Sequence, residues 1–157
     1  ENIFKAVNEI ALKNEDVEVV FPIHLNPKVR EIANKVFHGN SRVHLIEPLD
    51  YEPFTNLMAK SYLVVTDSGG LQEEAPSLGK PVLVVRRETE RPEGIEAGTA
   101  KLVGTDYENI YREIDILIKD EGEYKKMANA VNPYGDGKAS ERIVDILLKH
   151  GMDQLEG

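Results

Sequence analysis

Apolar positions along the chain fall into two alternating rhythms. Ile3, Val7, Ile10 and Ala11 recur at helical spacing and predict an amphipathic helix over the first dozen residues. Val17 to Phe21, β-branched and aromatic and ended by Pro22, predicts a buried strand. Asn26-Pro27 opens a second helix in which Val29, Ile32, Ala33 and Val36 share a face, with Gly39 near its end. Val43–Ile46 is the next strand, Pro53 starts a short helix through Met58, and Leu63–Thr66 is a third strand. Leu71–Leu78 reads as a helix stopped by Gly79, followed by a strand over Pro81–Val85 and a short one at Lys101–Val103. Helices over Tyr107–Lys119, Glu123–Val131 and Ala139–His150 complete the pattern, with no repeat, low-complexity tract or linker.

Strands that are apolar throughout and alternate with helices imply a parallel sheet covered on both faces. The expected fold is α/β, a doubly wound, Rossmann-like, three-layer sheet with helices at the carboxyl end of the chain. Ligands of such sheets bind beyond the carboxyl ends of the strands. The opening element is a helix with no initiator Met before it, where this architecture begins with a strand. At least one strand is therefore expected upstream of Glu1.

Composition narrows the chemistry. The 157 residues suit one domain, able to bury about two-thirds of its unfolded surface without a staple. Nineteen Lys and Arg against twenty-eight Asp and Glu give a net charge of −9. That balance opposes nucleic acid or an anionic membrane as partner, though not a small anion held locally. The absence of cysteine removes disulfides, thiolate nucleophiles and Cys-type zinc sites. No His/Asp/Glu spacing suggests a metal. No apolar run approaches the ~20 residues of a membrane span, and no signal peptide is visible, so a cytoplasmic location is expected.

The most specific segment is Asp67-Ser68-Gly69-Gly70-Leu71-Gln72-Glu73-Glu74, where a strand gives way to a glycine pair and a helix. Glycines let backbone N–H groups approach a ligand, and a helix's first turn favours an anion. Ser68 could donate to a phosphate or cap the helix, and on the pattern alone capping is the commoner outcome. Glu73 and Glu74 point about 100° apart. One could accept from ribose hydroxyls, or both could be surface residues that stabilise the dipole. Arg86, Arg87 and Arg91 follow the fourth strand and could serve an anion or pair with Glu88, Glu90 and Glu93. Arg91, beside Pro92, looks the better held of the three.

His24 stands after the first strand, where it could meet a phosphate or exchange protons, or be merely polar. Phe54 could stack on a base or anchor its helix. Asn132 to Ser140 is a turn-rich hinge in which Lys138 or Ser140 could reach an anion.

Together these segments resemble a known family. Asp67 through Val84, then Thr89-Glu90-Arg91-Pro92-Glu93 and Ala97-Gly98, closely resemble the non-hydrolysing UDP-N-acetylglucosamine 2-epimerases. Pro22–Pro27, Pro53-Phe54 and Asn132–Gly137 match the same family in the same order, so the resemblance covers nearly the whole chain. It implies the C-terminal, UDP-binding half (residues 1–157) of an enzyme with two Rossmann-like domains of the glycosyltransferase GT-B kind. The catalytic carboxylates lie largely in an N-terminal half outside this chain, and a His-Arg-Arg-Glu-Asn-like strand-to-helix segment would precede Glu1.

Carried over, the resemblance puts Phe54 against uracil, Ser68, Gly69 and Gly70 on the diphosphate, Glu74 on the ribose and Arg91 as a further UDP contact. His24 matches a histidine near the catalytic cleft and the family's regulatory UDP-sugar site. Leu49 departs from a Gln that contacts the nucleotide in some relatives. The implied reaction interconverts UDP-GlcNAc and UDP-ManNAc through elimination and re-addition of UDP, with no cofactor or metal. A homodimer is implied at full length, and inactivity for this half alone. A UDP-sugar glycosyltransferase or a non-catalytic nucleotide-binding module are the competing expectations.

Overall fold

The computed structural model of the chain describes residues 1–153, so the last four residues of the expected domain lie outside it. Eight helices and five strands follow in order: α1 (Asn2–Lys13), β1 (Val19–Pro22), α2 (Pro27–Val36), β2 (Val43–Ile46), α3 (Tyr51–Lys60), β3 (Val64–Thr66), α4 (Gly69–Ser77), β4 (Val82–Val84), α5 (Pro92–Glu96), β5 (Ala100–Leu102), α6 (Tyr107–Lys119), α7 (Glu121–Ala128) and α8 (Ala139–Asp153). All strand pairs are parallel, as the apolar strand runs require.

β4 shows why the architecture is three-layered. Its residues are fully buried, and successive side chains leave opposite faces of the sheet. Leu83 joins Val85 and Val103 in a core with Ala6 and Ile10 of α1 and Ile110, Ile114 and Leu117 of α6. Val82 and Val84 face the other way, into a core with Met58 of α3, Ala75 of α4 and Ala100. A third cluster, Ile23, Ala33 and Phe37, backs β1 and β2 and is joined by Phe4 and Phe21. There the Phe4 and Phe21 rings meet edge-on at 5.4 Å.

The strands form two hydrogen-bonded sheets, β1-β2 and β3-β4-β5. Among the described residues β1 pairs only with β2 and β3 only with β4, and Val20 of β1 is exposed.

Several boundaries differ from expectation. The short third helix begins at Tyr51 rather than Pro53. Pro53 lies inside the first turn, where its missing N–H removes no helical bond. α5 arises in a stretch that reads as polar loop, and α7 is shifted toward Glu121 because the Asp120 carboxylate caps Gly122 and Glu123. α4 closes at Gly79, whose φ of +67° takes the left-handed turn that side-chain-bearing residues avoid.

No helix among the described residues is long and apolar enough to cross a membrane, and no group of three or more His, Cys, Asp or Glu is positioned to hold a metal.

Candidate functional site

The site is built where β3 hands over to α4. Thr66, buried at the end of β3, accepts the Ser68 N–H on Oγ1 at 3.0 Å and so bends the chain out of the sheet. Ser68 occupies the N-cap with extended backbone, yet its side chain makes no capping hydrogen bond. Gly69 and Gly70 follow at the first two helical positions, so their N–H groups lie among the donors that no helical carbonyl reaches.

A Cβ built at Gly70 would lie 3.9 Å from both the Ser68 hydroxyl and a Glu74 carboxylate oxygen. The hydroxyl and the carboxylate therefore flank this glycine. Neither Gly69 nor Gly70 has positive φ, and an added Cβ at either meets nothing closer than 3.9 Å. Folding makes no demand for glycine here; what the pair supplies is bare, approachable backbone.

The two glutamates separate in the structure. Glu73 forms an ion pair with Nε of Arg91, the residue that precedes α5. That carboxylate keeps the Arg91 guanidinium more firmly protonated than usual. Arg91 Nη1 donates to the Glu90 carbonyl at 3.1 Å, and Nη2 has no partner among the described residues. The Glu74 carboxylate lies beside Gly70 and forms no ion pair among the described residues.

Arg86 and Glu90 form a forked pair at 2.7 and 3.0 Å, with the Glu90 carboxylate 3.9 Å from the Cβ position of Gly69. The pairing expected for this arginine is thus present, and it sits beside the glycine turn.

Phe54 of α3 is half-buried against the cluster that contains Ala75 and Leu71 of α4, placing its ring beside the same helix. Leu49 is exposed ahead of α3. His24 stands apart. It is exposed beyond β1, and its Nδ1 accepts the Asn26 N–H at 3.1 Å, which leaves any neutral-ring proton on Nε2. The structure gathers Ser68, Gly69, Gly70, Glu74, Phe54 and Arg91 around α4 and leaves His24 with the β1–α2 turn. Lys138 and Ser140 are exposed in the hinge, whose Asp136 pairs with Arg142 at 2.6 Å.

Three side chains went unread in the sequence. Gln72 is fully buried, a polar residue in the apolar stripe of α4, and that misfit was the available signal. Its Nε2 donates to the Ser68 carbonyl at 3.2 Å, and its Oε1 accepts from Thr89 at 2.6 Å. Tyr134, within the hinge, accepts the Gly94 N–H on its hydroxyl at 2.9 Å.

A strand, a glycine turn and a helix with open first donors, at the carboxyl end of a parallel sheet, make this a Rossmann-like α/β domain of the kind that takes ligands beyond its strand ends. The chain belongs to the UDP-N-acetylglucosamine 2-epimerase family, whose model matches residues 1–148.

The UDP-N-acetylglucosamine 2-epimerase of Bacillus subtilis (strain 168) is 63% identical over 150 residues, 96% of this chain and 40% of that protein. The S. aureus MnaA–UDP co-structure aligns with a TM-score of 0.90 at 54% identity, covering 97% of this chain and 41% of that one. The UDP-GlcNAc 2-epimerase from Neisseria meningitidis bound to UDP-GlcNAc aligns with a TM-score of 0.88 at 52% identity, covering 94% and 40%. The chain thus spans about two-fifths of the length of these relatives.

Proposed function

We propose that this chain is the UDP-binding half of a UDP-N-acetylglucosamine 2-epimerase, an isomerase that interconverts UDP-GlcNAc and UDP-ManNAc. The observation that carries the reading is the open end of α4: Ser68 makes no capping bond, Gly69 and Gly70 are bare, and the Glu74 carboxylate lies beside Gly70. Ser68 and the Gly69 and Gly70 backbone would hold the diphosphate, where helix-end donors stabilise negative charge. Glu74 would accept from the ribose hydroxyls, Phe54 would lie against uracil, and Arg91 would reach the nucleotide through Nη2 while Glu73 holds Nε. His24 would face the second domain, at the catalytic or the regulatory side of the cleft.

The reaction removes the C2 proton while the C1–O bond breaks, its electron pair leaving with UDP to give 2-acetamidoglucal. Reprotonation of C2 from the other face, with return of UDP to C1, gives the epimer. No catalytic residue is assigned to this chain. Its task is to hold the departing diphosphate between the two steps, and an arginine with fixed N–H donors suits that without a metal.

The division into two sheets supports the reading of this chain as one half. A further strand between β1 and β3 would join them into a single sheet of the doubly wound order 3-2-1-4-5-6. We propose that the sequence preceding Glu1 supplies it and that the N-terminal domain carries the proton chemistry. A homodimer is proposed for the full-length enzyme, acting in the cytoplasm without nucleic acid or membrane as partner.

The test is exchange of UDP-GlcNAc with UDP-ManNAc by the full-length protein, with no acceptor sugar present. Exchange is expected there and none from this chain alone, which should bind UDP weakly by calorimetry. A strict requirement for an acceptor sugar would make the protein a transferase instead.

A further inference from the structure

We infer that Gln72 and Thr89 are positioning residues that fix Ser68 and Arg91 in one arrangement, and this rests on the reading of the α4 end as a diphosphate site. Ser68 follows β3 and Arg91 follows β4, so they stand on different loops. An unbroken series of hydrogen bonds joins them. The Ser68 carbonyl accepts from Gln72 Nε2 at 3.2 Å, Gln72 Oε1 accepts from the Thr89 hydroxyl at 2.6 Å, and that hydroxyl accepts the Arg91 N–H at 3.0 Å. The series continues past Arg91, whose carbonyl accepts from the Tyr134 hydroxyl at 3.4 Å. Tyr134 in turn accepts the Gly94 N–H.

The direction of each bond is dictated. The Arg91 N–H can only donate, so the Thr89 hydroxyl gives its own proton to Gln72 Oε1. That leaves Gln72 Nε2 for the Ser68 carbonyl, since the opposite amide orientation would set two acceptor oxygens against each other. A buried amide is costly unless both its ends are satisfied, whereas an apolar side chain would pack at position 72 without that demand. What the amide adds is direction: one end to each loop. A hydroxyl and a guanidinium that must grip one diphosphate need a fixed separation, and small misplacements of binding groups are expensive.

Thr89 is the sharper position to test, because it is only half-buried and Val reproduces its shape without the hydroxyl. Calorimetry of the full-length protein with UDP and with uridine, and its thermal unfolding, are followed in wild type, Thr89→Val and Thr89→Ser. Thr89→Val is expected to bind UDP about tenfold more weakly, with uridine affinity unchanged and the unfolding midpoint lowered by the unpaired Gln72 amide oxygen, while Thr89→Ser restores the midpoint and brings UDP binding to within about twofold. Unchanged UDP affinity in Thr89→Val would overturn the inference and leave the diphosphate reading standing. So would equal losses for UDP and uridine, since these mark a purely structural bond. Failure of the full-length wild-type protein to bind UDP would overturn both.

Discussion

Two strand-to-helix joints of the same topology end differently. At the β1–α2 joint the Asn26 side chain accepts the Lys28 N–H at 3.0 Å, Pro27 removes one donor, and His24 accepts the Asn26 N–H. At the β3–α4 joint a serine stands in the capping place without capping, followed by two glycines. α6 and α7 are finished like α2, by Asp106 and Asp120. A helix end completed by its own residues is a structural joint. α3 also lacks a side-chain cap, so what sets the α4 end apart is the uncommitted carboxylate and half-engaged arginine beside it, where we propose that the ligand binds. The contrast rests on which polar groups the fold itself consumes, more than on which residue types are present.

That contrast can be broken experimentally, and the largest effect is expected at Glu74. Glu74→Ala should weaken UDP binding by about 1–3 kcal/mol, the range of hydrogen bonds to a charged group. Glu73→Ala should cost less than about 1 kcal/mol, because its pair with Arg91 is partly solvent-screened and Arg91 keeps its other contacts. Calorimetry showing the reverse order would exchange the roles of the two carboxylates.

Acid probes the closed side of the molecule. Burial pushes up the pKa of Glu113 on α6, but the Lys101 ammonium and Arg112 guanidinium beside it prevail and hold it below the ordinary 4.5. A folded value below the unfolded one gives a contribution that is complete above about pH 4.5 and lost as the pH falls through the lowered value. Denaturant melts should therefore weaken on acidification. Glu113→Gln should lower stability at neutral pH by up to about 2 kcal/mol and flatten that dependence.

Exchanging the capping positions should give opposite results at the two joints. Asn26→Ala is expected to cost about 1 kcal/mol of stability and leave UDP affinity alone. Ser68→Ala should change stability by less than about 0.5 kcal/mol and weaken UDP binding by about 1 kcal/mol.

A stability change of the opposite sign is expected at Gly70, where Ala should leave the midpoint unchanged or raise stability by under about 1 kcal/mol. UDP affinity should nevertheless fall severalfold. A Gly70→Ala variant that loses stability would mean the fold, and not a ligand, requires the glycine.

The elements that the sequence revealed are those whose signal is local. The apolar run Pro81–Val85 could hardly be anything but a covered strand, and the glycine pair after Thr66 announced a turn. α5 escaped notice because five residues in a charged stretch carry no periodicity. Its place is set by Thr99, just past its end, donating to the Gly94 carbonyl at 3.0 and 3.2 Å, and from afar by Tyr134. The separation of the strands into two sheets was equally hidden, since pairing is decided between distant segments. For Glu73 and Glu74, spacing gives the angle between them but not which one meets Arg91. Gln72 was readable in principle, as an amide among apolar neighbours.

Tyr134 and Gly94 carry a consequence for how such a sequence can change over time. Any side chain at position 94 would place its Cβ 2.8 Å from the Tyr134 hydroxyl. Position 94 cannot gain a side chain while Tyr134 keeps its place, although forty residues lie between them in the chain. Lineages that enlarge the first must already have trimmed the second, so the two should be inherited as one unit.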